Sequence, residues 1–170
     1  MLSFTQKEFS LELVIKLCLV ISSLNISADA KKTACDYMPQ IVKQSQEEKV
    51  DPITILSMMY VESRFKKNAV SKSNACGLMQ LIPKWNKERV DGKLIKYSCN
   101  ELKEPERNIR LGIKALKRWL KVTRGNMDRS LCGYNAGTIC IKKVKYPAKF
   151  GYVKAVRRME RKIKRSLSKL

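Results

Sequence analysis

Residues 51–65 read DPITILSMMYVESRF, and this stretch decides the fold. Asp51 ahead of Pro52 is a helix start, because the carboxylate accepts from a free backbone N–H and proline has none to lose. Ile55, Leu56, Met59 and Tyr60 then recur at helical spacing. The helix stays apolar up to Glu62, which sits where the helix dipole disfavours a negative charge. A carboxyl kept at the end of an apolar element marks a functional group. Apolar surroundings would raise its pKa toward neutrality, where it could donate a proton.

Outward from this helix the chain reads as mostly α. Residues 66–76 are rich in Lys, Asn and Ser and read as loop. Gly77 to Ile82 begins a second apolar element, stopped at Pro83, and residues 86–104 are polar and irregular. Pro105 to Lys121 predicts a strong amphipathic helix with Ile109, Ile113, Leu116 and Leu120 on one face. Asp128 to Tyr134 predicts another, with Asp128 as cap and Asn135-Ala136-Gly137 as its end. A last helix carries Tyr152, Val153, Val156, Met159 and Ile163 as its apolar stripe. Trp85 and Trp119 read as core, and Asp91, Glu101, Glu104 and Glu106 as solvated loop or cap residues. No alternating strand pattern stands out, and 170 residues suit a single domain.

Apolar residues make up 44% and charged residues 30%, which excludes a disordered tail or a membrane bundle. Lys and Arg number 36 against 15 Asp and Glu, a net charge of +21. That excess points to an anionic partner: nucleic acid, a membrane surface or a wall polymer. Residues 142–170 hold twelve Lys or Arg and one acid, Glu160. Nucleic acid is not the primary partner expected, since only Tyr146, Phe150 and Tyr152 could offer stacking platforms there. The chain has no His. This excludes His-based dyads and triads and imidazole zinc sites, and neither metal nor cofactor is expected.

Residues 17–26, LCLVISSLNI, form an apolar run too short to span a bilayer. With Ala28-Asp29-Ala30 behind it, residues 1–30 read as an export signal cleaved after Ala30, and residues 31–170 as the working domain. Cleavage would remove Lys7 and Lys16 but also Glu8, Glu12 and Asp29, raising the net charge to +22. Six cysteines fit an oxidising, periplasmic or extracellular site. The pairs expected are Cys76–Cys99 and Cys132–Cys140, each bracketing a loop beside a motif, with Cys35 left over.

Four segments stand in order: Glu62-Ser63-Arg64-Phe65, Gly77-Leu78-Met79-Gln80, Asn108-Ile109-x-x-Gly112 and Gly133-Tyr134-Asn135-Ala136-Gly137. A fifth, Tyr152-Val153-x-x-Val156, follows. This order and spacing resemble the catalytic domain of soluble lytic transglycosylases, over roughly residues 45–160. The resemblance implies a mostly α, goose-lysozyme-like domain acting as a monomer on peptidoglycan glycan strands. It implies cleavage of the MurNAc–GlcNAc bond by one Glu. That Glu donates a proton to the bridging oxygen, then acts as base on the C6 hydroxyl to close a 1,6-anhydro ring. A second carboxylate, which most glycosidases need, is then unnecessary.

Carried over position by position, the resemblance makes Glu62 the acid and base. Ser71 would hydrogen-bond around the site, Met79 would form groove wall or, as readily, plain core, and Gln80 would bind sugar hydroxyl or acetamido groups. Tyr134 and Tyr152 would place phenols near Glu62, while Asn135 and Gly137 would shape the turn that presents Tyr134. Ser63 reads as structural. Three positions depart from the family pattern: Cys76, Gly133 in place of Ala, and Ile82 in place of a groove Met. Anionic wall polymers would be drawn to the basic surface. A goose-type lysozyme hydrolysing the same bond stays open, as does a non-catalytic wall, secretion-apparatus or virion component. So does the choice between a bacteriophage and a bacterial source.

Overall fold

The structure, a computed structural model, describes residues 4–170. Nine helices and one hairpin follow in order among these residues: α1 (Phe4–Ser22), α2 (Ala28–Asp36), α3 (Met38–Glu47), α4 (Pro52–Ser63), β1 (Lys87–Val90), β2 (Lys93–Lys96), α5 (Cys99–Leu102), α6 (Pro105–Val122), α7 (Met127–Ala136), α8 (Thr138–Lys142) and α9 (Gly151–Leu167). A single 3-10 turn, Pro147–Lys149, leads into α9.

Helix α4 is the axis of the domain. Asp51 caps it as expected, its Oδ1 accepting from the Ile53 N–H at 2.9 Å. Ile55, Leu56, Met58 and Met59 are fully buried, so the helix is covered on more than one side, as a helix apolar around most of its surface must be. Helices α3 and α9 pack on it. Val153, Val156, Met159 and Ile163 supply the buried stripe of α9, as the sequence pattern predicts. Across the α4–α9 seam, Thr54 Oγ1 donates to Glu160 Oε1 at 2.6 Å. Arg157 pairs with both Glu160 (2.8 Å) and Asp128 (2.7 Å), tying α9 to α7. Asp128 is therefore an ion-pair partner and not the cap of α7. Asn126 is the cap, accepting from the Arg129 N–H at 2.9 Å.

Of the expected export signal, residues 1–3 lie outside the described residues, and the rest forms α1 and the opening of α2. Leu17, Val20, Ile21 and Leu24 join the core, and α1 packs on α3 and α9. No helix among the described residues is long and apolar enough to cross a membrane.

The hairpin was not expected. Lys87–Val90 pairs antiparallel with Lys93–Lys96 around Asp91 and Gly92, both at positive φ, the backbone a two-residue hairpin turn requires. Its strands are mostly exposed, so they carry no alternating apolar pattern. One carboxylate anchors the hairpin to α6. Glu88 takes a fork from Arg110, a bond from Lys114 Nζ (3.1 Å) and one from Tyr97 Oη (2.8 Å). The Arg110 hydrogen bond above all holds the Glu88 carboxyl down at about 2.

The expected apolar element at residues 77–82 is a tight loop and not a helix. Gly77 has φ +79°, and a Cβ there would lie 2.3 Å from Asn108 Nδ2. Asn108 is wholly buried. Its Oδ1 accepts from the Met79 N–H (2.7 Å), and its Nδ2 donates to the carbonyls of Cys76 (2.9 Å) and Leu102. The disulfide Cys76–Cys99 (Cα–Cα 5.6 Å) closes the same loop onto α5, and Cys132–Cys140 (5.7 Å) joins α7 to α8, the two pairs expected. Cys35 stands free beside Cys18, its thiol 3.8 Å from the Cys18 carbonyl.

Asn108→Ala would leave the Met79 N–H and the Leu102 carbonyl without partners in a dry interior, while the Cys76 carbonyl keeps the Leu81 N–H. The expected loss is about 3 kcal/mol or more of stability, read as a lowered midpoint in urea unfolding. An unchanged midpoint would show that the loop holds itself.

Candidate active site

Glu62 lies on the last turn of α4. Two consecutive left-handed residues, Arg64 (φ 50°) and Phe65 (φ 60°), end the helix and turn the chain sharply. Such backbone is costly for residues with side chains and gathers at working sites. Full burial of Phe65 holds it in place. Ser63 is structural, as expected: its hydroxyl donates to the Leu78 carbonyl at 2.8 Å, joining the end of α4 to the 77–81 loop.

The Glu62 carboxyl is pushed up to about 7. Burial is the main cause, and the nearby Tyr152 hydroxyl pulls the other way. Tyr152 Oη is buried and has no hydrogen bond of ordinary geometry among the described residues, so it remains available to the carboxyl or to a bound molecule. Tyr134 is also near, since the Glu62 charge raises its phenol further after burial has done most. Its hydroxyl, however, donates to the Met79 carbonyl at 2.8 Å. It therefore fixes the loop beside the acid.

The other predicted residues divide by place. Gln80, at φ +50°, donates through Nε2 to the carbonyls of Gly77 (3.0 Å) and Ala69 (3.2 Å), and its side chain lines a groove. Asn135 lines the same groove. Met79 is wholly buried, packed where a Cβ at Gly112 would meet its Sδ at 2.2 Å. Its side chain lies in the core, and its backbone serves the site. Ser71 Oγ accepts from the N–H groups of Ala75 (3.1 Å) and Ser73 (3.2 Å), so in this structure it shapes the 71–75 turn.

The groove holds about 630 Å³ and adjoins the acid through Tyr134. Glu62 is not on its wall. Trp85, expected in the core, is 67% exposed on the groove. It follows Pro83 in the turn that leaves the apolar loop, where the main chain runs outward. Trp119 also lines the groove, and its ring packs on Gly133. A Cβ at Gly133 would come within 2.5 Å of that ring, which explains why Gly stands where the family pattern has Ala. Asn86 and Arg118 complete a wall that spacing alone did not reveal. No acidic side chain lines the groove among the described residues. Nor, among these residues, do three His, Cys, Asp or Glu gather as metal ligands would.

Comparison with known proteins follows this geometry. Residues 39–154 match the family model for the transglycosylase SLT domain. The chain is 40% identical over 84 residues to the endo-type membrane-bound lytic murein transglycosylase A of Salmonella typhimurium and to that of Salmonella enteritidis. The match covers 48% of this chain and 41% of each relative, so the chain spans about two fifths of the length of these relatives. A solved structure of an inactive mutant of the lytic transglycosylase Slt from Pseudomonas aeruginosa superposes with a TM-score of 0.59. It is 23% identical and covers 75% of this chain and 24% of that one, a likeness of fold.

Two outcomes follow from the site. The raised carboxyl means that the folded state binds a proton the unfolded state has lost, so stability falls as pH rises from 4.5 through about 7. Glu62→Gln should therefore be more stable than wild type above pH 7, by up to about 3 kcal/mol. The gain should vanish below pH 4.5, as chemical unfolding at several pH values would show. Gly133→Ala should cost about 1–3 kcal/mol by pushing on Trp119, read as a lower melting temperature with altered Trp fluorescence.

Proposed function

Because the chain belongs to the transglycosylase SLT domain family, we propose that it is a peptidoglycan lytic transglycosylase that cleaves the MurNAc–GlcNAc bond without water. The observation that carries this reading is the buried Glu62 carboxyl, held near 7 by its apolar setting, beside a groove that no acid among the described residues lines. At neutral pH such a group is protonated part of the time and can give its proton to the bridging oxygen. The carboxylate left behind is then a competent base for the C6 hydroxyl of the same sugar. Closure of the 1,6-anhydro ring supplies the nucleophile from the substrate, so no second carboxylate is needed to activate water. This favours a transglycosylase over a lysozyme of the same fold.

Tyr152 is the natural partner of the ionised carboxyl, since its hydroxyl has no other acceptor among the described residues. Asn135 offers its amide and Gln80 its amide oxygen to sugar hydroxyl and acetamido groups, and Trp85 offers a flat face to a pyranose ring. Ser71, exposed on the 71–75 turn, would offer its hydroxyl proton to substrate. Action as a monomer belongs to the same reading. The outer face of α9 groups Arg158, Arg161, Lys162, Arg165 and Lys169 in a basic hollow. That surface suits anionic wall polymers, and the attraction would weaken with salt. Export, to the periplasm or outside the cell, would bring the domain to this substrate.

Purified peptidoglycan should yield soluble anhydro-muropeptides with wild type and none with Glu62→Gln, as read by mass spectrometry. Activity of the wild type should fall as pH rises past about 7, where Glu62 loses its proton. Products about 18 Da heavier, carrying one added water, would instead make the protein a hydrolase. No product from a folded wild type would leave a binding role.

A further inference from the structure

The buried residues of α9 are Val153, Val156, Met159, Ile163 and Glu160. Four form the apolar stripe, and the fifth is a carboxyl that the chemistry at Glu62 does not use. Glu160 is 5% exposed. A charge taken out of water needs partners, and three helices contribute them. Thr54 of α4, itself buried, donates to Glu160 Oε1 at 2.6 Å. Arg157, one turn back on α9, donates to Oε2 at 2.8 Å. Asp128 of α7 holds Arg157 in turn, at 2.7 Å. A buried cluster of this kind adds little net stability over an apolar one, and its best-attested use is to fix the register of packed helices.

Register is what the site needs from this seam. The pairings run antiparallel along α4 and α9. Asp51 stands beside Lys164 (3.4 Å) at one end, Thr54 bonds Glu160 next, and Glu62 meets Tyr152 at the other end. On both helices the Thr54–Glu160 rung lies two turns, or about 12 Å, from the Glu62–Tyr152 rung. Met58 and Val156, both fully buried, fall between them. Apolar contact is non-directional, so it tolerates a slip that a hydrogen bond does not. A slide of one residue is about 1.5 Å, enough to break the Thr54 bond. The same slide would carry the Tyr152 hydroxyl away from the carboxyl. Helix α7 joins the cluster through Asp128 and carries Tyr134. The three helices that bring these side chains together are thus tied to one another away from the site.

We propose that Thr54 and Glu160 are positioning residues for glycosidic cleavage: their bond sets the register of α9 on α4 and so keeps the Tyr152 hydroxyl at the Glu62 carboxyl. The proposal rests on the transglycosylase reading and adds to it a pair that acts only through Tyr152. Among the described residues, the titratable groups that face Glu62 are Tyr152 from α9 and Tyr134 from α7, with Arg118 of α6 acting on Tyr134. Tyr134 is already held by the Met79 carbonyl, so a shift in the seam reads out at Tyr152.

The test measures kcat and kcat/KM across pH on soluble glycan strands. It uses wild type, Thr54→Val, Thr54→Ser, Tyr152→Phe and the double variant Thr54→Val with Tyr152→Phe. Valine keeps the shape of threonine and removes the donor. Thr54→Val should lower kcat by about 10- to 100-fold, the scale of a displacement near 1 Å, with KM little changed. The alkaline limb of its kcat/KM profile should move above the wild-type value of about 7, since the hydroxyl that pulls Glu62 down has drawn back. A seam that merely loosened would let water reach the carboxyl and move that limb down. Thr54→Ser, which keeps the donor, should recover most of the loss. In the Tyr152→Phe background, Thr54→Val should add less than about 2-fold, because the group it acts through is gone. Melting curves show which variants fold, and Thr54→Ala carries the same expectations should the valine variant not. Equal losses with and without the Tyr152 hydroxyl, an alkaline limb that moves down, or a Thr54→Val rate equal to wild type would overturn the proposal. Absence of anhydro product from wild type would instead overturn the functional reading beneath it.

Discussion

The peptide unit of Met79 is held from both sides, and the site depends on it. Its N–H goes to the side chain of Asn108 and its carbonyl takes the hydroxyl of Tyr134. Ser63 reaches the neighbouring carbonyl of Leu78. Three helices, α4, α6 and α7, are thereby pinned to one loop by groups that have no water to turn to. Gly77 and Gly112 are consequences of the same closeness, since a methyl at either would collide with Asn108 or Met79. The family motifs are thus one contact seen from several places in the chain. Each supplies a piece of a single knot, and that is why their order carries more meaning than any one of them.

Glu62 gains its chemistry from being poorly solvated at the edge of this knot. Burial lifts its pKa, and the hydroxyl of Tyr152 limits the rise. The balance matters, because a carboxyl pushed far above neutrality would not return as a base, and one left at its ordinary value would hold no proton to give. The cost falls on stability, through the buried acid and the two left-handed residues that follow it. The dense core around α4 offsets this. Disulfides add support at the 76–99 loop and the turn after α7.

Much of this was legible in the residues. Asp51-Pro52 announced α4, and the 105–121 periodicity announced α6. The acid stood out as a charge in the wrong place. Other features were not legible, for physical reasons. The hairpin carries its signal in Asp91-Gly92, but its outward strands have no apolar side to show. Trp85 looked like core because large aromatics usually are, and only the course of the chain after Pro83 exposes it. Met79 looked like groove wall, yet its backbone is what the site uses. Asn126 took the cap from Asp128 because Arg157, 29 positions on, claims the carboxylate. Pairings across such distances do not follow from spacing.

The seam between α4 and α9 also has a bearing on time. Thr54 and Glu160, which close it, lie 106 positions apart, and Tyr152 arrives with the same late helix. A chain leaving the ribosome folds as its parts emerge, and α4 emerges long before its cover. Until α9 docks, Glu62 lacks the Tyr152 hydroxyl, one of the groups that set its hold on a proton. The site is complete only with the last helix.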